Sequence, residues 1–141
     1  MKDSEILDKA AETLDIEIEA LSHVKKNLDD SFAKLIRKAL EITENGGKIV
    51  VSGVGKSGHI GRKIAATLAS TGSPAVFVHP VEAMHGDLGM IQKKDILLAL
   101  SYSGESDELI QMVPAVKRFD IPIASITATT SSTLAKYSDI T

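Results

Sequence analysis

Lys48-Ile-Val-Val-Ser-Gly-Val-Gly-Lys-Ser-Gly58 is the most informative stretch of this 141-residue chain for its fold. It begins with a short apolar run that does not alternate with polar residues, which is typical of a parallel strand buried on both faces. Gly53, Gly55 and Gly58 follow, and they allow the backbone to turn tightly. The stretch therefore predicts a buried strand, a tight turn and a helix, the opening unit of an α/β sheet.

The same alternation continues along the chain. Short apolar runs predict further strands at 75–79, 95–100 and 122–127, and apolar residues at helical spacing fill the intervals. Pro114 falls inside the helix that follows the third strand, so we expect a bend there. Residues 137–141 have the character of a fifth strand that the sequence does not finish. We predict an α/β fold of three layers, α-β-α, with a five-stranded parallel, flavodoxin-like sheet whose fifth strand is incomplete, preceded by N-terminal helices.

The segment ahead of the first strand predicts two helices. The first is long and amphipathic, because leucines recur seven residues apart, at Leu7, Leu14, Leu21 and Leu28. The second follows from Phe32 and stops at a pair of glycines. The stripe of the first helix fits packing against its own subunit and packing against another subunit about equally well.

Composition excludes several classes of protein. A hydrophobic share of 43% and a charged share of 25% are ordinary for a globular domain, and no run approaches the ~20 apolar residues of a membrane span. Residues 48–141 hold nine Lys and Arg against eight Asp and Glu, and the chain has no Trp, so no basic, aromatic surface for nucleic acid is expected. The absence of cysteine and of a secretory signal fits a cytoplasmic protein.

The glycine turn matches two nucleotide-binding patterns only in part. A dinucleotide site also needs an acidic residue about 20 positions on, but the second predicted strand ends in His79-Pro80. A triphosphate loop needs a glycine where Val50 stands. What remains is a turn that brings the backbone close to a ligand, with the positive charge of Lys56 at its mouth.

A serine-rich loop, Ser101-Tyr-Ser-Gly-Glu-Ser106, follows the third predicted strand and leads into a helix. In open α/β sheets, ligands bind at the carboxyl ends of the strands, where the strand order reverses. Hydroxyls together with amides at a helix N-terminus make a strongly donating cradle that suits a phosphate monoester. Capping the helix needs only one serine, so three of them favour an anion site.

Three motifs together resemble the sugar isomerase (SIS) domain, and within it the D-arabinose 5-phosphate isomerases. They are Gly53-Val-Gly-Lys-Ser-Gly58, Glu82-Ala-Met-His-Gly-Asp-Leu88 and the serine-rich loop, and the resemblance runs from about residue 30 to the end. It implies interconversion of ribulose 5-phosphate and arabinose 5-phosphate, the first step toward the Kdo sugar of lipopolysaccharide, without a cofactor. It also implies a cytoplasmic homo-oligomer, a tetramer, with a phosphosugar as its small-molecule partner and with neither nucleic acid nor membrane as a partner.

The resemblance also divides the chain. We expect N-terminal helices at 1–47 that pack on the domain, and a C-terminally truncated SIS-type sugar-phosphate domain at 48–141. In such proteins a second catalytic histidine lies in a His-Pro-Gly-Gly stretch and many carry a pair of CBS modules, all of which would fall beyond residue 141.

Site residues follow from the same motifs. The resemblance implies that the substrate is bound by Ser52, Gly53, Gly55, Ser101, Ser103, Gly104 and Ser106. It implies that the catalytic residues Lys56, His85 and Glu108 face the reacting carbons. Aldose-ketose isomerisation passes through an enediol and needs a base at carbon, for which we assign Glu108, as a carboxylate shielded from water in the first turn of its helix. His85 fits ring opening or proton shuttling, and Lys56 fits either the phosphate or the enediolate oxygen.

Three alternatives stay open. In the first, the domain is a non-catalytic phosphosugar sensor like those of some transcription regulators, although the acidic character of the first 47 residues counts against a DNA-binding module. In the second, the domain isomerises another phosphosugar, because the same phosphate cradle would serve sugars of other lengths. Within the isomerase interpretation, His85 has a structural alternative, a hydrogen bond to Asp87. His79, Glu82, His85 and Asp87 are of metal-ligating types but lack familiar zinc spacings, so we predict no metal site.

Overall fold

The computed structural model describes residues 2–141. The helices are α1 (Asp3–Lys26), α2 (Asp30–Glu44), α3 (Gly55–Ser70), α4 (Pro80–Met84), α5 (Asp107–Lys117) and α6 (Thr133–Tyr137), with a 3₁₀ turn at Asp87–Met90. The strands are β1 (Ile49–Gly53), β2 (Ala75–Phe77), β3 (Ile96–Leu100) and β4 (Ile123–Ile126). Each of the four predicted strands is therefore present, with ends that differ from the predicted ends by two residues at most.

The strands form one parallel sheet in the order β2-β1-β3-β4. The chain leaves β1 toward one edge to make β2, then returns to the other side of β1 for β3 and β4. Beyond β4, Ile140 makes an isolated parallel bridge to Ala124, where a fifth strand would begin. The predicted α/β class and the incomplete fifth strand are confirmed.

Helices cover both faces of the sheet and produce the three predicted layers. Because side chains alternate along a strand, Val50 and Leu97 face α5 and α6, whereas Val51 and Leu98 face α2 and α3. Every residue of β1 and β3 is buried. Burial on both faces is why these strands carry apolar runs without polar alternation.

An ion pair fixes the amino-terminal edge of the sheet. The carboxylate of Asp95 is buried, and it accepts hydrogen bonds from the main-chain N–H of Lys48 at 3.0 Å and from that of Gln92 at 2.8 Å. The Lys48 ammonium approaches it at 2.6 Å. Because a buried carboxylate must be paired, these contacts tie β1 to the start of β3. This edge lies opposite the carboxyl ends where the loops of interest leave the sheet.

The chain divides into two compact units, the first ending at Phe32 and the second comprising Ala33–Thr141. Most of α2 belongs to the second unit, since Leu35, Ala39 and Ile42 pack against the sheet. The predicted boundary lies after residue 47 instead, and the division into two domains stays a prediction. Within residues 2–141, no helix has the length and apolarity that crossing a bilayer demands. Pro114 does lie inside α5, and the bend expected there stays a prediction.

Candidate phosphosugar site

Two loops leave adjacent strands at the point where the strand order reverses. Gly53, the last residue of β1, pairs in register with Leu100, the last residue of β3. The glycine turn and the serine-rich loop therefore start side by side at the carboxyl edge of the sheet. In open α/β sheets this crevice is the usual place for a ligand.

The glycine turn is packed too closely for side chains. A Cβ added to Gly58 would lie 2.8 Å from the carbonyl oxygen of Gly53, and one added to Gly53 would lie 3.0 Å from that of Leu100. Gly55 has a φ of +54°, in the left-handed region that favours glycine. Val54, the residue before α3, provides no side-chain cap, so the first N–H groups of this helix can serve a ligand.

The serine-rich loop is held by its own hydroxyls. The Ser101 hydroxyl lies 2.8 Å from that of Ser106 and accepts a hydrogen bond from the Gly104 N–H at 3.0 Å. Ser103 is exposed and accepts a longer bond, at 3.2 Å, from the Glu105 N–H. Ser106 precedes α5, and its side chain does not cap the helix. The loop thus presents hydroxyls beside the uncapped N-terminus of an eleven-residue helix.

The same loop is fastened to the beginning of α6. The Leu134 N–H donates to the Gly104 carbonyl at 3.0 Å, and the Thr133 N–H donates to a carboxylate oxygen of Glu105 at 2.7 Å. Hydrogen bonding from the main chain and the side chain of Thr133 lowers the pKa of Glu105 below its usual value of 4.5, and the charge of Lys136 adds to the effect. The serine-rich loop is therefore braced from outside as well as from within.

The brace predicts an acid-sensitive contribution of Glu105 to stability. Because its pKa is lowered in the folded protein, the charged carboxylate stabilises the fold above pH 4.5, and this stabilisation is lost as pH falls through the folded-state pKa. Glu105→Gln keeps an accepting oxygen but has no charge to lose. The melting temperature of Glu105→Gln should lie below that of the wild type at pH 7, and the two should converge as the pH falls through the lowered pKa of Glu105.

Thermal unfolding followed by circular dichroism between pH 7 and pH 3 checks this expectation. Glu44→Gln, at the exposed end of α2, removes the same charge without removing a brace and serves as the matched control. A gap between Glu105→Gln and the wild type that stays constant across this range would contradict the assignment.

His85 and Glu108 line the same pocket. It measures about 100 Å³ and is lined by Pro80, Val81, Met84, His85, Glu108 and Gln111. Glu108 comes from the first turn of α5, and His85 directly follows α4. Both side chains are exposed, so the expected shielding of Glu108 from water is not found in this structure. Among the described residues, no hydrogen bond joins His85 to Asp87, so the structural alternative for this histidine has no support here.

A second depression joins the two loops on the other face of the sheet. It measures about 360 Å³, and its lining includes Ser57 from the start of α3, Ser101 and Tyr102 from the serine-rich loop, and Thr127 after β4. Residues of both loops therefore border one space. The predicted anion site at these two loops stays a prediction.

Not every predicted site residue reaches these spaces. Ser52 is fully buried and donates its hydroxyl to the Val78 carbonyl at 2.7 Å, because its position on β1 faces the α5 side of the core. The structure thus gives Ser52 a partner in the interior, whereas the prediction places it on the phosphate. Lys56 is exposed in the first turn of α3 and lines neither pocket. Its catalytic role stays a prediction.

The structure gives no support for a metal site in the part of the chain that it describes. Within residues 2–141, no three His, Cys, Asp or Glu side chains come close enough together to hold a metal ion. The ring of His79 is engaged locally, where its Nδ1 accepts a hydrogen bond from the Val81 N–H at 3.3 Å and caps α4.

Three side chains near the site are not among the residues predicted from the sequence. Gln111 lies one turn after Glu108 on α5, so the spacing of three residues is the signal that could have found it. Thr127 follows β4 and borders the second depression. The brace formed by Glu105 depends on a residue 28 positions away, and no local pattern encodes it.

Comparison with known proteins gives the family. The SIS domain model matches residues 41–141. An arabinose 5-phosphate isomerase KdsD of Francisella tularensis is 48% identical over 135 residues, which are 96% of this chain and 41% of that protein. An arabinose 5-phosphate isomerase GutQ of Escherichia coli K12 is 48% identical over 129 residues, which are 92% of this chain and 39% of that protein. The chain thus spans about two fifths of the length of the curated relatives that it matches.

Solved structures agree with this assignment. A protein of Escherichia coli CFT073 in complex with arabinose 5-phosphate superposes with a TM-score of 0.91 at 40% identity, covering 99% of this chain and 73% of that one. A putative sugar-phosphate isomerase of Listeria monocytogenes superposes with a TM-score of 0.93 at 35% identity, covering 100% of this chain and 73% of that one. With its sheet order, its paired loops and a family model that spans most of its length, the chain belongs to the SIS domain family.

Proposed function

We propose that the protein containing this chain is an aldose-ketose isomerase that interconverts arabinose 5-phosphate and ribulose 5-phosphate in the supply of the Kdo sugar of lipopolysaccharide. The observation that carries the proposal is the shared pocket of His85 and Glu108 directly beside the serine-rich loop. An acid-base pair next to an anion cradle is what a phosphosugar isomerase needs. The similarity to relatives named arabinose 5-phosphate isomerase supports the choice of sugar.

The phosphate is assigned to the serine-rich loop and the start of α5. Free N–H groups at a helix N-terminus and neighbouring hydroxyls donate to a dianion without burying a full positive charge. Ser103 is exposed, and Ser106 is half-buried with its hydroxyl directed to Ser101, so one small rotation frees it for the ligand. Gly53, Gly55 and Gly104 let the two loops approach the ligand closely.

Glu108 is assigned as the base. In the aldose-to-ketose direction it takes the proton from C2 of the open-chain sugar while the aldehyde oxygen at C1 gains a proton, which produces the enediol. The hydroxyl at C2 then gives up its proton, and C1 receives one from Glu108, which yields the ketose. The reaction is redox-neutral and returns every protein group to its starting state, so it requires no cofactor.

We assign His85 and Lys56 to interactions with the oxygen atoms of the substrate. The imidazole of His85 lines the Glu108 pocket and serves ring opening and proton movement between the sugar oxygens. The ammonium of Lys56, in the first turn of α3, provides positive charge for the anionic substrate or the enediolate. Closure over the sugar would supply the shielding that Glu108 lacks without ligand.

We further propose that the protein acts in the cytoplasm as a homo-oligomer, a tetramer. Lack of cysteine fits the reducing cytoplasm. The apolar face of α1 and the exposed Ile60 and Ile126 at the second depression provide surface for subunit contacts.

The direct test incubates the full-length protein with arabinose 5-phosphate and follows ribulose 5-phosphate by proton NMR in D₂O. The proposal predicts conversion with exchange of the C2 proton, and thermal stabilisation by the phosphosugar but not by arabinose. Tight binding without conversion would favour a regulatory sugar sensor of the same fold. Faster turnover of a hexose or heptose phosphate would assign another isomerase.

A further inference from the structure

Helix α5 carries a second polar side chain beside Glu108. Gln111 lies three residues after Glu108, about 60° away around the helix axis, so the two side chains are neighbours on one face. Both line the pocket of about 100 Å³ to which His85 also contributes. The rest of the lining is apolar and belongs to α4: Pro80, Val81 and Met84. Gln111 is therefore one of three polar side chains that line this pocket.

The amide of Gln111 is available to a ligand. Its side chain is exposed, and within residues 2–141 no hydrogen bond engages its amide group. The amide carries two N–H donors and one carbonyl acceptor, and unlike a carboxylate or an imidazole it does not titrate. Such a group can bind a sugar oxygen next to Glu108 and His85 without competing for the protons that these two residues move.

The order of groups along α5 gives the bound sugar a direction. In the proposed function, the C5 phosphate lies at the start of α5 and C2 lies at Glu108. Gln111 is about 4.5 Å farther along the axis, because each helical residue rises about 1.5 Å. Beyond C2, a sugar bound in this direction has only C1 and its oxygen. Gln111 therefore lies at the C1 end of the substrate.

From this order we propose that Gln111 is a catalytic residue, whose amide N–H donates a hydrogen bond to the C1 oxygen and stabilises the enediolate. The inference rests on the proposed function and adds a group to it. When Glu108 removes the C2 proton, negative charge develops on the aldehyde oxygen at C1. A hydrogen bond to this oxygen strengthens as the charge grows, so it lowers the barrier more than it improves binding.

The proton balance of the reaction is unchanged by this role. Gln111 keeps its amide protons throughout, and the proton that the C1 oxygen gains arrives by way of His85. The amide thus complements the imidazole, because it holds the oxygen while the charge forms and the imidazole then moves the proton.

Gln111→Met tests the hydrogen bond, because methionine is unbranched and similar in length but has no N–H donor. We expect kcat for arabinose 5-phosphate to fall about a hundredfold, the usual result of losing one donor to an oxyanion, while the dissociation constant changes less than about threefold. Gln111→Glu keeps the shape and an accepting oxygen but brings negative charge to the C1 oxygen, so its kcat should be lower still. Steady-state kinetics and calorimetric titration of the full-length protein measure both constants.

Gln92→Met is the matched control. Gln92 is exposed and precedes β3 at the amino-terminal edge of the sheet, opposite the site, and the hydrogen bond that it donates to Asp95 comes from its main chain. The same substitution there should leave kcat within about twofold of the wild type. Far-ultraviolet circular dichroism verifies that every variant is folded.

The outcomes separate this inference from the proposed function. A wild type that does not convert arabinose 5-phosphate would contradict the proposed function, and this inference with it. Wild-type turnover that Gln111→Met retains would overturn the role of Gln111 alone. Weaker binding by Gln111→Met with normal kcat would also overturn it, because the amide would then hold the sugar and not the enediolate. Normal kcat in Gln111→Glu would do the same, because an acceptor would then suffice.

Discussion

Glu108→Gln is expected to lower kcat by about a thousandfold while changing the affinity for arabinose 5-phosphate by less than about threefold. Glutamine has nearly the same shape as glutamate and can still donate and accept hydrogen bonds, but it cannot take a proton from carbon. The side chain lies on the pocket that His85 also lines, outside the part of the loop assigned to phosphate. Steady-state kinetics together with calorimetric titration of the variant separates the two effects.

Asp107→Asn is the matched control for this variant. Asp107 and Glu108 both lie in the first turn of α5, and either carboxylate interacts favourably with the helix dipole. If Glu108 served only the dipole, the two substitutions would have similar, small effects. The assignment as base predicts that Asp107→Asn keeps kcat within about fivefold of the wild type. Normal turnover by Glu108→Gln would end the assignment.

Gly104→Ala is expected to destabilise the protein by about 3 kcal/mol or more and to abolish phosphosugar binding. Gly104 has a φ of +66°, and an added Cβ would lie 2.4 Å from the Cβ of Ser132 and 2.2 Å from its hydroxyl. Ser132 caps α6 and cannot retreat without releasing the Ala135 N–H. The serine-rich loop would have to leave its place on α6.

Gly46→Ala is the control that separates the steric clash of an added Cβ from the strain of a positive φ. Gly46 has a similar φ of +77°, but nothing lies within 4 Å of the added Cβ. It should cost only the ~1–2 kcal/mol of a left-handed alanine and leave phosphosugar binding intact. Urea unfolding and calorimetric titration of both variants measure the difference. Equal losses of stability, or normal binding by Gly104→Ala, would show that the loop does not need its place on α6.

The strands were predictable because burial on both sheet faces leaves a signal in the sequence. Val50, Val51, Leu97 and Leu98 are all apolar although they point alternately to opposite sides. The end of β2 was less predictable. Val78 continues its apolar run, but the strand ends at Phe77 and the side chain of His79 caps α4. Capping of a five-residue helix is too local an event for periodicity to detect.

The loops were predictable as a pair, and the direction of individual side chains was not. Adjacent parallel strands bring their carboxyl ends to one edge, so the meeting of Gly53 and Leu100 follows from topology. Ser52 shows the limit of that argument. Its sequence position is next to the turn, but the alternation of side chains along β1 sends its hydroxyl into the core, to the Val78 carbonyl.

Contacts between residues far apart in the sequence could not be predicted from local patterns. The brace between Glu105 and Thr133 forms because α6 begins beside the serine-rich loop, which only the packed fold determines. The exposure of Glu108 is likewise a property of the assembled surface. Motif spacing indicates which residue types meet, and packing decides what surrounds them.

A crystal of this chain with arabinose 5-phosphate would test the assigned site by the position of the phosphate. We expect phosphate oxygens within about 3 Å of the Ser103 or Ser106 hydroxyl and of main-chain N–H groups at the start of α5, with the C1–C2 end of the sugar in the His85 and Glu108 pocket. A phosphate bound away from the serine-rich loop, with the Ser101–Ser106 hydroxyl contact intact, would contradict it.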